Sequence, residues 1–325
     1  MKHTSLSGSK IRGVRHASRQ MPNGAASEEA GSSKLDLLSL LITGGSGYLG
    51  RRLALKAIET FEVYTTYHTQ AAQISAGVPL RLDVTNPAAV LDLMRHLKPR
   101  AIIHTAAINP GGAESKMMQV NAEAARSVAE GAVAVGARLV HVSTDVVHDG
   151  RRAPYADDAP PTPLNPYGRS KAAGEAAIAR IDPLAAIVRP SLIYGLEEID
   201  RGTAGFVERL EAGEPLVLFN DVIRQPVWLE TLVEALLKLA TMDFAGILNV
   251  AGRQALTRAE FGRRMLAYWQ IESQGRLRSG RAADISDTIP RDLRLAIDKG
   301  EQLLDMKFPG VDEVLARQAP GRPPP

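Results

Sequence analysis

The sequence predicts an α/β fold in which a doubly wound parallel sheet is followed by a smaller C-terminal lobe. Short apolar runs that suit buried strands alternate with amphipathic helical segments over residues 38–189, and this alternation is typical of a parallel sheet covered on both faces. The first run leads through a glycine-rich turn into a helix, as in Rossmann-type sheets. The alternation loosens after Tyr194. We therefore expect a Rossmann-type sheet with a distinct lobe after it.

Each predicted element has a local reason. LSLLIT, from Leu38, is a short apolar run before a glycine turn, and residues 48–60 place Leu49 and Leu53 on one helical stripe. Thr257 with Glu260 three residues later is a capping-box pattern, which predicts a helix start. The predicted strands are residues 38–43, 63–67, 79–82, 100–104, 138–143, 185–189, 215–219 and 247–250. The predicted helices are residues 48–60, 87–97, 114–135, 206–212, 228–241 and 257–270, with another from 166. Residues 273–292 are polar and predicted to be irregular.

The composition excludes several classes of protein. The chain of 325 residues is long enough for about two units that share a core or lie side by side, and 45% of it is hydrophobic. It has no cysteine, which excludes disulfides, thiolate metal sites and a cysteine nucleophile. Its seven histidines do not cluster at metal-ligand spacing, and no apolar run reaches the roughly 18 residues of a membrane span. We expect a soluble, cytoplasmic protein without a metal ion.

Positive charge is concentrated at the N-terminus. Residues 1–34 contain six Lys and Arg against two Glu, so the formal net charge of +3 leaves the remaining chain near neutral. A near-neutral body argues against a nucleic-acid partner. Residues 1–34 lack apolar periodicity and are predicted to be a disordered tail. An organelle transit peptide, a dispensable tail and an over-long start before Met21 all remain open. Residues 319–325 are predicted to be a second tail.

The glycine turn after the first strand predicts a dinucleotide site. Gly44, Gly47 and Gly50 are spaced three apart, which lets the backbone turn sharply and approach a pyrophosphate at the N-terminus of the next helix. The other residues expected to contact the cofactor in this turn are Ser46, Tyr48 and Leu49. A tight turn without a ligand is the alternative.

The end of the second strand bears on which dinucleotide is bound. A site for NAD(H) normally has Asp or Glu there to bind the ribose 2′-hydroxyl, whereas this sequence has Tyr67, His68 and Thr69. With no carboxylate to repel a 2′-phosphate, and with Arg51 and Arg52 just after the glycines, NADP(H) is favoured over NAD(H). Both arginines are also compatible with an ordinary solvated helix surface.

Residues that follow the strands are predicted to meet at one edge of the sheet, because ligands of parallel sheets bind at the carboxyl ends of the strands. Asp83, residues 104–107 and residues 143–145 all follow predicted strands. His104 is expected to be structural, and His141, inside a strand, is expected to be a satisfied core residue.

Tyr167 and Lys171 are four residues apart, so a helix that begins near Pro166 places both on one face. The ammonium is expected to lower the pKa of the Tyr167 phenol. Thr144, 23 residues before Tyr167, offers a second hydroxyl to the same substrate oxygen. This trio suits proton transfer to a carbonyl, although the Tyr-x-x-x-Lys spacing alone also occurs by chance.

Together and in order, these motifs resemble the extended short-chain dehydrogenase/reductase superfamily over about residues 38–316. The motifs are TGGSGYLG, LDVT, HTAA, Asn121 in the helix that follows, STDVVHDG, PLNPYGRSK and VRPSLIYG. Within this superfamily, STDVVHDG, PLNPYGRSKAAGE and the closing PRDLRL and GVDEVL are most similar to the dTDP-4-dehydrorhamnose reductase family.

The resemblance implies roles for particular residues. Thr144, Tyr167 and Lys171 would form the catalytic triad, with Asn121 helping to order the site. Lys171 would also bind the nicotinamide ribose. The further cofactor contacts expected are His68, Asp83, Val84, Ala106, Ala107, Tyr167 and Pro190. Substrate contacts are expected for Asp145 and Arg224, and a surface salt bridge is an equally open alternative for Arg224.

The sequence departs from the family at His148, where phenylalanine is usual, and the loop between Thr144 and Tyr167 is a residue short. Val146 follows Asp145, so the acidic pair of the related nucleotide-sugar dehydratases is missing and dehydration is disfavoured. The resemblance implies an NADPH-dependent carbonyl reductase that acts on a keto-sugar nucleotide or a related keto compound. A homodimer is one possible oligomeric state.

Two alternatives stay open. The regulatory subunit of methionine adenosyltransferase shares this fold and binds NADP, so a non-catalytic cofactor-binding protein is the first alternative, against which the intact triad counts. An epimerase that keeps its cofactor bound is the second. In each case we expect a disordered tail at residues 1–34 and a Rossmann domain at residues 35–190, completed by 227–252. The substrate-binding lobe would comprise residues 191–226 and 253–318.

Overall fold

The computed structural model describes residues 37–273 and 275–321, so the tail predicted at residues 1–34 lies outside the described residues, as does most of the second tail. In the described part the strands are β1 (Leu38–Thr43), β2 (Phe61–Tyr67), β3 (Val78–Arg81), β4 (Ala101–His104), β5 (Arg138–Val142), β6 (Ala186–Pro190), β7 (Ile193–Tyr194), β8 (Leu216–Phe219), β9 (Ile223–Arg224), β10 (Val227–Trp228), β11 (Gly246–Val250), β12 (Leu256–Thr257) and β13 (Leu277–Gly280). The helices there are α1 (Tyr48–Ala57), α2 (Pro87–Leu97), α3 (Glu114–Met118), α4 (Ala124–Val135), α5 (Pro166–Ile181), α6 (Arg201–Glu211), α7 (Leu229–Thr241), α8 (Arg258–Tyr268), α9 (Asp298–Leu304) and α10 (Val311–Arg317).

Seven strands form one sheet in the order β11-β6-β5-β4-β1-β2-β3. Every neighbouring pair in it is parallel. The chain leaves β1 in one direction and returns to add β4 on its other side, so the strand order reverses between β1 and β4. Ligands of such sheets bind outside the carboxyl ends of the strands at this point of reversal. The doubly wound parallel sheet confirms the predicted fold class.

Helices cover both faces of this sheet. On one face, α1 and α7 pack in a core with Leu40, Ile103 and Val188 from the strands. On the other face, α2, α4 and α5 pack in a second core with Leu41 and Ile102. Neighbouring residues of β1 thus point into opposite cores, as the alternation of side chains along a strand requires. Apolar residues on both strand faces explain why the sequence shows continuous apolar runs here.

A third core lies in the C-terminal half of the described chain. It joins Tyr194 to residues of α6, α8 and α10, among them Leu210, Leu266 and Val314. Since β11 pairs with β6, residues 246–250 belong to the main sheet. The third core agrees with the expectation of a second lobe, and the exact lobe boundaries stay a prediction.

Capping residues explain where the two helices nearest the site begin. Asn165 accepts a hydrogen bond from Gly168 N at 2.9 Å and Pro166 occupies the first turn of α5, which suits a helix start. Thr257 and Glu260 form the predicted capping box of α8, in which Thr257 Oγ1 accepts from Glu260 N at 3.1 Å.

Several element predictions were wrong in their bounds. The first helix ends at Ala57 rather than residue 60, and α6 begins five residues earlier than predicted because the Asp200 carboxylate caps it. The predicted helix over 114–135 contains a π-helical turn at Gln119–Glu123. The segment 273–292 is not wholly irregular, since β13 pairs with β8. Helices α9 and α10 had no sequence prediction.

None of the helices in the described residues combines the length and apolar content that a bilayer span needs.

Candidate active site

The glycine turn between β1 and α1 packs against the residues that follow β4. Gly44 has φ +76°, and a Cβ there would lie 2.6 Å from Ala106 N, so a side chain would push the two loops apart. A Cβ on Gly50 would lie 2.3 Å from Gly44 O. These two glycines are therefore required by packing within the protein, with or without a ligand.

Gly47 differs from its neighbours, because it is exposed and caps α1 without a side chain. The first turn of α1 carries no acidic residue, and the backbone N–H groups at a helix start have no intrahelical acceptor. The Tyr48 phenol donates to Glu198 O at 3.0 Å and so points away from this end. The turn thus fits a pyrophosphate, with backbone N–H donors as its contacts.

The two arginines behind the NADP(H) prediction are engaged with carboxylates. Arg51 pairs with Glu198, and Arg52 Nε donates to Glu230 Oε1 at 2.7 Å. Both guanidinium groups are thus engaged in partly exposed ion pairs, and their contact with a 2′-phosphate stays a prediction. His68 is exposed at the end of β2, with Nε2 at 3.7 Å from the carboxylate of Asp83.

The other residues expected to border the cofactor follow the strands, as predicted. Asp83 and Ala107 are exposed, and Val84 and Ala106 are partly buried. Pro190, the last residue of β6, is buried. Asp83 accepts from Thr85 N at 2.9 Å, and hydrogen bonds from Thr85 lower its pKa.

Thr144 and Tyr167 are brought together at the carboxyl edge of the sheet. Thr144 follows β5 and caps a short turn, with its Oγ1 accepting from Val146 N at 3.2 Å. Its hydroxyl donates to Asp145 Oδ1 at 3.3 Å and lies near the Tyr167 phenol. Burial raises the pKa of Tyr167 to about 12, and the nearby Thr144 hydroxyl opposes this rise with a smaller effect. At neutral pH the phenol is therefore protonated and can donate.

Lys171 does not act on Tyr167 in the predicted way. Its ammonium is buried and donates to Val142 O at 2.6 Å, with His141 Nε2 at 3.4 Å. Burial lowers the pKa of Lys171 to about 8. The expected lowering of the Tyr167 pKa by the ammonium is not found, since burial raises this pKa and Lys171 is not among the groups that shift it.

Two buried histidines lie behind Lys171. The rings of His104 and His141 stack with centroids 5.2 Å apart, and burial lowers both pKa values, that of His104 to about 3. Neutral His141 can accept from Lys171, but its Nδ1 has no hydrogen-bond partner among the described residues. The prediction of a fully satisfied core histidine is therefore wrong for His141.

Asn121 lies in the π-helical turn and connects two loops of the site. Its Oδ1 accepts from Ile108 N at 2.8 Å, and its Nδ2 donates to Ile108 O and to Ser170 Oγ, both at 3.0 Å. Ser170 in turn donates to Tyr167 O at 2.8 Å. Asn121 thus holds the loop after β4 against the first turn of α5, which agrees with an ordering role.

Asp145 and Arg224 form an ion pair. Arg224 donates from Nε and Nη2 to the two carboxylate oxygens at 2.8 and 2.6 Å, and Ser191 Oγ adds a third bond at 2.8 Å. Asp145 is fully buried. An ion pair thus joins the residue after Thr144 to β9, and the substrate contacts of Asp145 and Arg224 stay a prediction.

A cleft of about 1120 Å³ opens beyond the ends of β4 and β6, between α6 and α8. Its walls are largely apolar, and Arg258 is among its charged side chains. This arginine was not among the predicted site residues. It directly follows the N-cap of α8, a position where a cation is unfavourable.

Comparison with known proteins identifies sequence relatives of this chain. The sequence model of the family described as RmlD substrate binding domain matches residues 38–310. A dTDP-4-dehydrorhamnose reductase of Mycobacterium tuberculosis (strain CDC 1551 / Oshkosh) is 33% identical over 230 residues, or 67% of this chain and 71% of that protein. Methionine adenosyltransferase 2 subunit beta of Xenopus tropicalis is 35% identical over 188 residues, or 56% of this chain and 52% of that protein. The chain thus spans about half the length of this last relative.

A solved structure has the same fold. It is a dTDP-4-dehydrorhamnose reductase from Bacillus anthracis in complex with NADP, which matches with a TM-score of 0.74 and 25% identity over 86% of this chain and 98% of that one. Sheet order, glycine turn and carboxyl-edge hydroxyls thus define a protein with the NAD(P)-binding reductase and epimerase fold. More particularly, the chain belongs to the family described as RmlD substrate binding domain. The resemblance stated from the motifs is confirmed.

Proposed function

We propose that this protein is an NAD(P)H-dependent reductase that converts the keto group of a nucleotide sugar into an alcohol. The observation that carries the proposal is the buried, protonated Tyr167 phenol beside the Thr144 hydroxyl, at the sheet edge where the glycine turn fits a dinucleotide. The relatives named dTDP-4-dehydrorhamnose reductase support the same reaction class.

A reduced dinucleotide with its pyrophosphate bound at the glycine turn would supply hydride to the carbonyl carbon. Tyr167 then donates its proton to the oxygen that gains negative charge, because an alkoxide is more basic than a phenolate. Thr144 Oγ1, which lies next to the phenol, positions the same oxygen. Lys171, fixed by Val142 O, places a positive charge beneath the site, and Asn121 holds the backbone of Tyr167 through Ser170.

NADP(H) is proposed as the preferred dinucleotide on two grounds. The support is the lack of a carboxylate at the end of β2, where Tyr67 and His68 stand, together with the NADP complex of a relative. Since Arg51 and Arg52 are paired, binding of a 2′-phosphate requires His68 or a rearranged arginine. The ratio of kcat/KM with NADPH to that with NADH measures the preference, and a ratio below one contradicts it.

The pH dependence of reduction should report Lys171. Burial lowers the pKa of its ammonium to about 8, so the charge is present below that pH and is lost as the pH rises through it. We expect kcat/KM for reduction to fall above about pH 8, while Tyr167 stays protonated up to about pH 12. Rates measured from about pH 6 to about pH 10 test this. A profile that stays flat to the upper end would contradict it.

The activity itself is tested with purified protein, NADPH or NADH, and a panel of nucleotide keto-sugars and simple ketones. We expect oxidation of one reduced dinucleotide for each alcohol formed with a dTDP-linked 4-keto-sugar. Stoichiometric oxidation excludes an epimerase that recycles its cofactor. Absence of turnover across the whole panel, with cofactor bound, contradicts the proposal.

A second candidate is favoured by one observation, the 35% identity to the beta subunit of methionine adenosyltransferase 2. A non-catalytic partner of this kind would bind dinucleotide without turnover. Size-exclusion chromatography with a methionine adenosyltransferase catalytic subunit, run beside the ketone panel, separates the two functions. The elution volume of the protein alone on the same column tests whether it forms a homodimer.

A further inference from the structure

Neutral groups at the end of β5 hold the ammonium of Lys171. The side chain is buried, and its Nζ donates to Val142 O at 2.6 Å and to His141 Nε2 at 3.4 Å. Across residues 37–273 and 275–321, no ion pair is found for this ammonium. Two of its three N–H donors are thus directed to adjacent residues of one buried strand, which ends two residues before Thr144.

Glu175, four residues further along α5, is bound by other groups. Arg189 donates to its two carboxylate oxygens from Nε and Nη2, at 3.0 and 2.7 Å, and Ser143 adds a hydrogen bond. Burial lowers the pKa of Lys171 to about 8, and the attraction of Glu175 offsets only part of this effect. The direct contacts of the ammonium are therefore a carbonyl oxygen and an imidazole nitrogen.

His141 has the protonation state that this contact requires. Burial lowers its pKa well below the usual value, with smaller contributions from Lys171 and His104. A neutral imidazole has one N–H and one acceptor nitrogen, so a ring that accepts at Nε2 carries its proton on Nδ1. His104, whose ring centroid lies 5.2 Å away, has its pKa lowered to about 3, and Tyr167 stays protonated to about pH 12. Of these four groups, Lys171 is therefore the one that changes charge near pH 8.

We propose that His141 positions the Lys171 ammonium for catalysis, as the side-chain acceptor that fixes its direction at the carboxyl end of β5. The inference rests on the proposed function, in which Lys171 places a positive charge beneath the site. A single hydrogen bond to Val142 O leaves the ammonium free to swing about that contact, whereas a second acceptor on the neighbouring residue fixes it. His141 acts through Lys171 and not on the substrate itself.

The first test is the pH profile of reduction by His141→Phe, which keeps a flat ring against His104 and removes the acceptor nitrogen. Without that acceptor the charged form of Lys171 is less stable, so its pKa should fall below the present value of about 8. We expect the falling limb of kcat/KM to move to lower pH by about one unit, the shift that corresponds to one hydrogen bond to a charged group. His141→Gln should keep the limb near that of wild type, because its amide oxygen reaches about as far from the backbone as Nε2.

His148→Phe is the matched control. His148 is also a buried histidine whose Nε2 lies 3.4 Å from a cation, but that cation is Arg189. The same substitution there should leave the limb at about pH 8, because no acceptor of Lys171 is removed. An equal shift in the two variants, or no shift in His141→Phe, would overturn the inference.

Urea unfolding gives a second test that needs no turnover. The loss of urea midpoint caused by His141→Phe should be larger at about pH 7, where Lys171 is charged, than at about pH 10, where it is neutral in the folded protein. A loss of packing alone would be the same at both pH values. In a Lys171→Met background the loss should no longer depend on pH. Equal losses at the two pH values in the protein that keeps Lys171 would overturn the inference.

The two tests separate the inference from the proposed function. A pH-dependent loss of urea midpoint without reduction of any carbonyl compound would refute only the proposed function. Reduction with an unmoved limb would refute only the inference. If His141→Phe does not fold, His141→Asn takes its place, since its shorter amide reaches the position of Nδ1 and should give the shift expected for a lost acceptor.

Discussion

Tyr167→Phe is expected to lower kcat/KM for reduction by about 10²- to 10⁴-fold, the usual contribution of a general acid. The substitution removes one hydroxyl, which lies beside Thr144, and leaves a ring of the same shape. Burial raises the pKa of this phenol to about 12, so it carries the proton that the developing alkoxide takes up. Steady-state rates with the nucleotide keto-sugar measure the effect.

The control for this substitution is Tyr64→Phe, which also removes one phenol hydroxyl. Tyr64 lies on β2 and donates to Glu62 Oε1 at 3.0 Å at the surface, so its loss should leave the rate within about twofold. Dinucleotide affinity should stay close to wild type in both variants. A Tyr167→Phe enzyme that keeps wild-type turnover would remove Tyr167 from the mechanism.

Arg189→Met is expected to lower the free energy of unfolding by about 3–5 kcal/mol, the range found when one partner of a buried ion pair is removed. Arg189 on β6 is fully buried, and its Nε and Nη2 donate to the Glu175 carboxylate at 3.0 and 2.7 Å. Its Nη1 also donates to Asp157 O and Ala159 O, at 3.2 and 3.0 Å. The variant leaves a buried carboxylate without its counter-ion.

Loss of Arg189 is also expected to affect the active site. Its partner Glu175 lies on α5 and accepts a hydrogen bond from Ser143, the residue before Thr144. Urea unfolding at neutral pH measures the stability. The double variant Arg189→Met/Glu175→Met should be more stable than Arg189→Met alone, since no unpaired charge remains. Arg126→Met, which breaks an exposed pair with Glu130, should cost about 0.5 kcal/mol. A loss of no more than that for Arg189→Met would contradict the buried-pair account.

The parts of the site that were predicted from the sequence depend on short-range interactions. The turn from β1 into α1, the start of α5 at Pro166 and the capping box at Thr257 were all found where expected. Each depends on backbone conformation or on a hydrogen bond between residues three apart. The order of the motifs likewise led to the correct family.

Predictions of side-chain partners were less successful, because the partners come from remote segments. The two arginines after the glycines pair with Glu198 and Glu230, 147 and 178 residues away. Segment 273–292 was expected to be irregular because its polar sequence has no period, yet β13 within it pairs with β8. Strand pairing of that kind is decided by the neighbour and not by the strand alone.

The sequence by itself determined a Rossmann-type sheet, a dinucleotide turn, and the helix α5, which has Tyr167 and Lys171 on the same side. Local propensity and periodicity are sufficient to determine these features. Tertiary packing decided which groups the charged side chains contact. It directs Lys171 to Val142 O and pairs Asp145 with Arg224 across 79 residues. Buried charges must be compensated by whatever group packing brings near them, and only the folded chain shows which group that is.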